Sequence, residues 1–220
     1  MLEISELLDL TKTIAAALFK DKKYPWEVLP ELKEFIIELG KTLPEDEYEQ
    51  RADNVWVAKD AVVFPSAYLG APCIIDHGAE IRHCAFIRGS AIIGKNAVVG
   101  NSVEVKNSVL FDNVQTPHYN YVGDSVLGYR SHMGAGSITS NVKSDKTPVT
   151  VKTPDGRVTT GLKKFGAVLG DNVEIGCNSV LNPGTVIGRG SNVYPVNSVR
   201  GFVPENSIYK DKDNIVTKTR

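Results

Sequence analysis

The sequence predicts an all-β fold, a left-handed parallel β-helix, and three observations support this prediction. Aliphatic residues recur at every sixth position, small side chains lie two positions before most of them, and glycine often follows them. An α-helix repeats every 3.6 residues and a β-strand every two, so a strict period of six requires another architecture. We therefore expect a triangular coil with three six-residue sides, in which hexapeptide repeats wind left-handed against the usual crossover rule.

Two runs of the repeat define the β-helix, which is expected over residues 51–208. The first run is Val57, Val63, Leu69, Ile75, Ile81, Ile87, Ile93, Val99 and Val105. The second run is Leu169, Ile175, Leu181, Ile187, Val193 and Val199. Each aliphatic side chain should point inward and stack on its equivalent eighteen residues later, about 4.8 Å away. Glycine after the aliphatic residue, as at Gly94, Gly100 and Gly188, is expected to give the corner its backbone conformation.

The first 50 residues follow a different pattern and are predicted to form an α-helical segment. Their apolar side chains recur at spacings of three and four, and Pro25 and Pro30 separate two amphipathic stretches. We expect these helices to cap the open end of the prism, with a partner-binding helix pair as the alternative. Residues 209–220 are expected to form a C-terminal tail.

The repeat breaks between its two runs, and residues 142–165 leave it entirely. Thr-Pro-Asp-Gly at 153–156 is a turn signal between two β-rich arms, so we expect a β-hairpin that projects from the prism. This insertion holds six Lys or Arg residues against two Asp. Breaks in a solenoid usually mark loops on the binding face, although a loop without function is the alternative.

The composition gives no overall attraction to nucleic acid or membranes, because the net charge is −1. The first 50 residues carry twelve Asp or Glu and six Lys, which leaves nineteen basic and fourteen acidic residues in the repeat region. The three cysteines, Cys73, Cys84 and Cys177, have neither disulfide nor metal-ligand spacing, which favours a reducing compartment. No signal peptide and no apolar run of about 20 residues is evident, so a cytoplasmic protein is expected.

Arg88 and Lys106 are eighteen residues apart, which is one full coil of the predicted prism. Their side chains should leave the same corner about 5 Å apart, where two positive charges repel by roughly 1 kcal/mol in water. A phosphate between them would remove that repulsion, with Arg as a bidentate donor and Lys as a point charge. The alternative is that both long side chains extend separately into water.

His118 and Tyr121 lie in the first break of the repeat. A histidine can remove a proton at neutral pH, and a tyrosine can orient a substrate or donate a hydrogen bond. A surface histidine without a catalytic role is the alternative. The four histidines, His77, His83, His118 and His132, lack the close spacing of zinc ligands, so no metal site is assigned, with a metalloenzyme as a further alternative.

At these residues the sequence resembles a known family. It resembles the C-terminal acetyltransferase domain of the bifunctional glucosamine-1-phosphate acetyltransferase and N-acetylglucosamine-1-phosphate uridyltransferase family, most of all the archaeal members. The resemblance covers about residues 80–210 and is most specific in PHYNYVGDSVLG (117–128), MGAGSITSN (133–141) and the stretch 156–188. That family lines its sugar-phosphate site with an Arg, a Lys, a His and a Tyr. The same types stand here at the family's intervals of 18, 12 and 3, as Arg88, Lys106, His118 and Tyr121.

The resemblance implies an acetyl-CoA-dependent N-acetyltransferase that acts on an amino-sugar 1-phosphate, such as glucosamine 1-phosphate, in nucleotide-sugar precursor synthesis. It implies a homotrimer with active sites between neighbouring prisms, and acetyl-CoA as a co-substrate rather than a tightly bound cofactor. His118 would be the general base, Arg88 and Lys106 would hold the phosphate, and Tyr121, Asn141 and His132 would contact the sugar. Contacts with coenzyme A are expected from Cys177, Pro195, Lys163, Lys164 and Lys212, with Arg200 and Lys210 as further basic candidates.

The sequence departs from the family pattern at several positions. His132 stands where the family commonly has asparagine, and Val142 and Cys177 stand where the bacterial enzymes have tyrosine and serine. Lys106-Asn107 replaces a Lys-Lys pair, and the uridyltransferase domain with its glycine-rich nucleotide loop is absent from this sequence. Three alternatives therefore stay open: an acyltransferase with a different acceptor, a non-catalytic scaffold, and a subunit that binds sugar nucleotides.

Overall fold

The computed structural model describes residues 1–219 and confirms the predicted fold class, a left-handed parallel β-helix with short helices before it. Its short strands form three sheets, which we name A, B and C in the order in which each coil passes through them. Sheet A consists of Tyr48–Ala52, Val55–Ala58, Cys73–Ile75, Ala91–Ile93, Ser108–Leu110, Val126–Leu127, Ala167–Leu169, Thr185–Ile187 and Phe202–Val203. Sheet B consists of Val62–Val63, Glu80–Ile81, Val98–Asn101, Gln115–His118, His132–Met133, Glu174–Ile175, Asn192–Val193, Ser207–Asp211 and Asn214–Thr217. Sheet C consists of Tyr68–Leu69, Phe86–Ile87, Glu104–Lys106, Tyr121–Gly123, Ile138–Thr139, Val180–Leu181 and Ser198–Val199.

The hexapeptide aliphatic residues form the core of the prism, as predicted. All of them are buried except Val63 and Leu69, which are half-buried in the first coil. Each buried side chain of this size stabilises the fold by about 1.5–3 kcal/mol relative to an exposed one. The break in the repeat after Val105 is a change of coil length, because Val105 pairs with Val122, seventeen residues later. The prism therefore continues through the segment where the six-residue period is lost.

The glycines that follow the aliphatic residues have a different role from the predicted one. None of Gly94, Gly100 and Gly188 has a positive φ. A Cβ on Gly100 would lie 1.7 Å from the carbonyl oxygen of Pro117 in the next coil, so glycine is required there for close backbone approach. Many corner positions with positive φ are instead asparagines, such as Asn96 (54°) and Asn178 (55°). Asparagine tolerates this left-handed conformation better than most residues.

The N-terminal segment contains two α-helices, Ile4–Leu7 and Leu32–Gly40, and three 3₁₀ turns, Leu10–Lys12, Ala16–Phe19 and Pro25–Val28. The prediction that it caps the open end of the prism is wrong, because it runs along the outside of sheet A. Sheet A is apolar on both faces, and its outward column is Trp56, Ile74, Ile92, Val109, Val126, Val168, Val186 and Phe202. An outward apolar column requires a cover. The helix Leu32–Gly40 covers this column at Cys73–Ile75 and Ala91–Ile93, and the strand Thr150–Thr153 packs against Thr185–Ile187 and Phe202–Val203 near its other end.

Contacts at successive heights hold the N-terminal segment to the prism. Near one end of the segment, the backbone N–H of Asp171 donates to Leu7 (3.0 Å), and the Asp171 carboxylate accepts from the N–H of Asp9 (2.8 Å). Further along, the rings of Phe19 and Phe111 meet edge to face, 5.7 Å apart. The segment is therefore part of the folded body.

The predicted β-hairpin is present as Thr150–Thr153 and Gly156–Thr159, joined by a two-residue turn. It does not project from the prism as predicted, because Thr150–Thr153 packs against the sheet A strands Thr185–Ile187 and Phe202–Val203. It leaves the prism at the edge between sheets C and A, and its Val151 side chain is buried. At the other end, the predicted tail 209–220 begins inside the strand Ser207–Asp211, which pairs with Asn214–Thr217. The boundary expected at residue 208 is thus displaced, because the last coil ends in an antiparallel hairpin. Within residues 1–219, no helix has both the length and the apolarity that crossing a membrane requires.

The His77 side chain contacts two carboxylates, one just before the first strand of sheet A and one in the first coil. Its Nε2 lies 3.1 Å from a carboxylate oxygen of Glu47, and its Nδ1 lies 2.9 Å from one of Asp60. Burial lowers the pKa of His77, but hydrogen bonds with Asp60 and Glu47 outweigh burial and raise the pKa above its ordinary value. A raised histidine pKa stabilises the fold below about pH 6.5, and this stabilisation is lost as the pH rises through the raised value.

We therefore expect the free energy of unfolding to fall by about 0.2–1 kcal/mol as the pH rises through the pKa of His77. Urea denaturation across this range would measure the change in the wild type and in His77→Gln. The variant should have a smaller fall, because its amide does not titrate. An equal fall in both proteins would assign the pH dependence to other groups.

Candidate functional site

Two edges of the prism carry the residues singled out in the sequence. The edge between sheets B and C, the BC edge, carries Asn101, His118, Ala135, Cys177 and Pro195 in successive coils. The edge between sheets C and A, the CA edge, carries Lys106, Asp124, Gly166 and Gly184. One side of the triangle separates the two edges. Six residues lie between equivalent points on them, so they are at most about 20 Å apart.

His118 ends the strand Gln115–His118 and is exposed on the BC edge. The backbone carbonyl of His118 accepts a hydrogen bond from the N–H of Gly136 (3.0 Å). This bond places Ala135 directly above His118 in the next coil. The N–H of Asn178 donates to the backbone carbonyl of Ala135 (2.8 Å). Cys177 therefore lies two coils above His118, about 10 Å away. Within residues 1–219 the His118 imidazole makes no hydrogen bond, so both ring nitrogens are accessible.

Pro195 continues the same column, because the N–H of Val196 donates to the carbonyl of Cys177 (2.9 Å). Cys177 and Pro195 are both exposed. The structure thus brings together the predicted base and two of the predicted coenzyme contacts along one straight edge. A long, thin ligand could lie along this edge with one end at His118.

The CA edge holds a polar cluster centred on Asp124, a residue that sequence reasoning missed. Asp124 is buried and accepts hydrogen bonds from Lys106 Nζ (3.0 Å), Asn107 Nδ2 (2.8 Å) and Asn141 Nδ2. Asn141 Nδ2 also donates to the hydroxyl oxygen of Tyr121 (3.2 Å). A count of eighteen could not place Asp124 correctly, because this coil has seventeen residues and Lys106 pairs with Gly123, the residue before Asp124.

Tyr121 links the middle of sheet C to this cluster. Its ring leans over Gly123, where a Cβ would lie 2.4 Å from the tyrosine hydroxyl. Burial raises the pKa of Tyr121, and the nearby carboxylates of Asp124 and Glu104 raise it further. The phenol therefore stays protonated at neutral pH and can donate a hydrogen bond.

Arg88 and Lys106 lie in adjacent coils, as their spacing predicts, but the expected unpaired cations are not observed. Arg88 Nη1 lies 2.9 Å from Glu104 Oε1, and this hydrogen bond raises the pKa of Arg88. Lys106 is paired with Asp124. Both positive charges are thus balanced within the chain, because the next coil supplies a carboxylate to each. A phosphate must compete with these carboxylates, so its attraction is weaker than the bare pair suggested.

The remaining predicted residues lie apart from these groups. His132 faces outward on sheet B, where its Nδ1 lies 2.7 Å from Glu174 Oε2. Lys163 and Lys164 are exposed on the CA edge, next to Phe165, whose N–H donates to the carbonyl of Asn141 (3.0 Å). Others are exposed in the last coil, namely Arg200, Lys210 and Lys212. One chain therefore does not gather the predicted coenzyme contacts in one place.

Metal binding was a further alternative from the sequence. Among residues 1–219, no three His, Cys, Asp or Glu side chains are grouped so that they could hold a metal ion. His77 and His83 instead contact Asp60 and Ser66, each one coil earlier, at 2.9 and 3.1 Å.

Comparison with known proteins gives the family. The family described as "GMPPB C-terminal domain" matches residues 69–190, more than half of the chain. The "Bifunctional protein GlmU" of Methanococcus maripaludis (strain C5) is 34% identical over 113 residues, which covers 51% of this chain and 27% of that protein. The "Bifunctional sugar-1-phosphate nucleotidylyltransferase/acetyltransferase" of Sulfurisphaera tokodaii is 36% identical over 87 residues, covering 40% of this chain and 22% of that protein.

These curated relatives are much longer than the matched region, which spans about a quarter of their length. Among solved structures, the UDP-N-acetylglucosamine acyltransferase of Francisella novicida aligns with 12% identity and a TM-score of 0.43, covering 69% of this chain and 63% of that one. The resemblance predicted from the motifs of residues 117–188 is confirmed by the curated relatives. The protein belongs to the family of GMPPB C-terminal domains.

Proposed function

We propose that this protein is an acetyl-CoA-dependent N-acetyltransferase whose acceptor is an amino-sugar 1-phosphate such as glucosamine 1-phosphate. The observation that carries the proposal is the exposed His118 on the BC edge, in one column with Cys177 and Pro195. The name of the Sulfurisphaera tokodaii relative includes an acetyltransferase activity, which supports the same class of reaction. Acetyl-CoA would be a co-substrate that lies along this edge.

The proposed reaction needs one proton acceptor and no covalent enzyme intermediate. The neutral imidazole of His118 accepts a proton from the sugar amine. At the same time, the amine nitrogen attacks the carbonyl carbon of the thioester. A C–N bond forms, the C–S bond breaks, and coenzyme A leaves as a thiol once its sulfur takes up a proton. Orientation of the two substrates and general base catalysis together supply much of the reduction in the barrier.

The polar cluster of the CA edge would hold the acceptor. The protonated phenol of Tyr121 and the amide of Asn141 suit the hydroxyl groups of a sugar. Arg88 and Lys106 would bind the phosphate by exchanging their carboxylate partners for its oxygens, which keeps each cation paired. This exchange makes recognition depend on the phosphate being present.

A homotrimer belongs to the same proposal, because His118 and the Asp124 cluster lie on different edges of one prism. Exposed apolar side chains flank the BC edge, namely Tyr119 (64% exposed), Tyr194 (47%) and Val196 (77%). A neighbouring prism packed there would bury them and bring its own CA edge close to His118. We expect light scattering to give about three times the chain mass of 24.0 kDa. A value equal to one chain would contradict a site shared between subunits.

The test of the proposed function is release of free thiol from acetyl-CoA with a panel of acceptors. The panel contains glucosamine 1-phosphate, galactosamine 1-phosphate, and glucosamine without phosphate. Thiol release that requires an amino-sugar 1-phosphate would support the proposal. Ligand binding without turnover on any acceptor would instead favour a scaffold or a subunit that binds sugar nucleotides.

The ion pairs of the candidate phosphate site favour a second candidate, an acyltransferase whose acceptor carries no phosphate. Arg88 and Lys106 already have carboxylate partners, so the charges of the site are balanced without a ligand. Turnover of glucosamine that equals or exceeds turnover of its 1-phosphate would establish this candidate.

The cytoplasmic location expected from the sequence stays a prediction.

A further inference from the structure

A polar cleft of about 380 Å³ lies between the β-hairpin and the prism at the CA edge. Its lining includes Lys143, Lys152, Arg157 and Arg200, with Asp145 as its carboxylate. Asp145 lies 3.4 Å from Lys143. The other three cations have no carboxylate within 4.0 Å among residues 1–219, so the cleft carries an excess of positive charge. None of these residues takes part in the Asp124 cluster.

The hairpin places two of these cations side by side. Lys152 and Arg157 are directly opposite each other in the antiparallel pair, so their side chains leave the same face. Like charges directly opposite in a sheet are destabilising. A ligand with negative charge on that face would convert this repulsion into attraction.

Arg200 approaches the same face from the prism, at the last coil of sheet C. The hairpin is packed closely there, since a Cβ on Gly201 would lie 2.8 Å from the carbonyl oxygen of Lys152. The hydroxyl groups of Ser140 and Ser144 also line the cleft and have no hydrogen-bond partner within the described part of the chain. Three cations and two hydroxyl donors thus converge on one concave surface.

We propose that this cleft binds the diphosphate group of a small molecule. A diphosphate offers several acceptor oxygens to a fork of guanidinium and ammonium groups, which is the match that such residues make best. The cleft adjoins the polar cluster, because Ser140 and Val142 flank Asn141. Two sources of the group are compatible with this chemistry. One is the diphosphate of a nucleoside-diphosphate sugar, and the other is that of coenzyme A bound along the BC edge of a neighbouring prism, a source that rests on the proposed function.

The test uses isothermal titration of the full chain with inorganic diphosphate. We expect saturable binding to the wild type, and at least about tenfold weaker binding to Lys152→Gln/Arg157→Gln, which removes two charged donors. The matched control is Lys20→Gln/Lys33→Gln, which removes two exposed lysines from the N-terminal segment and should bind as the wild type does. Equal affinity in the wild type and the cleft variant, or equal weakening in the control, would overturn the proposal.

Three further measurements keep the outcome interpretable. Thermal unfolding should give the cleft variant a midpoint at or above that of the wild type, because the variant removes a like-charge pair. Competition with coenzyme A and with a nucleoside-diphosphate sugar identifies the source of the diphosphate. His118→Ala should bind diphosphate as tightly as the wild type, so failure of the proposed acetyl transfer can be told apart from failure of this site.

Discussion

Replacing His118 with alanine is expected to lower kcat/KM for acetyl transfer by about 10²- to 10⁴-fold, which is the usual contribution of a general base. The imidazole is exposed at the end of its strand and has no hydrogen-bond partner among residues 1–219, so its removal leaves no buried group unpaired. The fold should therefore be unaffected. Thiol release at saturating acetyl-CoA measures the loss, and the affinity for coenzyme A should change little.

The matched control for this prediction is His83→Ala. His83 lies on the same edge two coils below His118 and is also exposed. Its Nδ1 contacts the hydroxyl of Ser66 at 3.1 Å, outside the column from His118 to Pro195. We expect His83→Ala to keep wild-type activity. Activity retained by His118→Ala, or lost equally in both variants, would rule out His118 as the base.

Replacing Trp26 with alanine is expected to lower the free energy of unfolding by about 3–5 kcal/mol, the usual cost of removing a buried large aromatic side chain. Trp26 is 1% exposed, stacks on Tyr24 with ring centroids 4.7 Å apart, and meets Phe165 at 5.5 Å. Trp26 therefore links the N-terminal segment to Phe165, whose N–H is hydrogen-bonded to the carbonyl of Asn141. Denaturation in urea gives the size of the loss.

Tyr68→Ala is the control for the tryptophan variant. Tyr68 is an aromatic residue of similar size that is 62% exposed on sheet C, with one edge-to-face contact to Phe86. Its replacement should cost less than about 1 kcal/mol. A loss below about 1 kcal/mol for Trp26→Ala would show that the N-terminal segment contributes little to the stability of the prism.

The sequence alone determined the architecture, because a period of six is incompatible with ordinary helices and strands. It also predicted which residues share a column, since one coil holds eighteen residues: Arg88 and Lys106 are indeed in adjacent coils. The same rule does not locate Asp124, because the coil after Val105 has seventeen residues and Lys106 pairs with Gly123. The apolar outward column of sheet A, which includes Ile74 and Ile92, was readable as a face that needs a cover.

Only the tertiary structure decided how these columns are used. The helical spacing of residues 1–50 indicates an apolar face but not its partner, and the structure places that face along sheet A. Two successive coils after Val105 have seventeen residues, so later residues are displaced by one and then by two positions relative to a count of eighteen. The local periodicity of the sequence does not show where along the coil the missing residues are lost.

The balance of charge at the candidate site was also decided by tertiary structure. Glu104 and Asp124 are sixteen and eighteen residues from the cations that they neutralise, and long side chains reach diagonally as well as directly along the stack. The two edges that carry His118 and Asp124 are set apart by the triangular cross-section of the prism. The sequence could therefore predict the chemical groups, whereas their pairing and separation depended on the path of the coil in three dimensions.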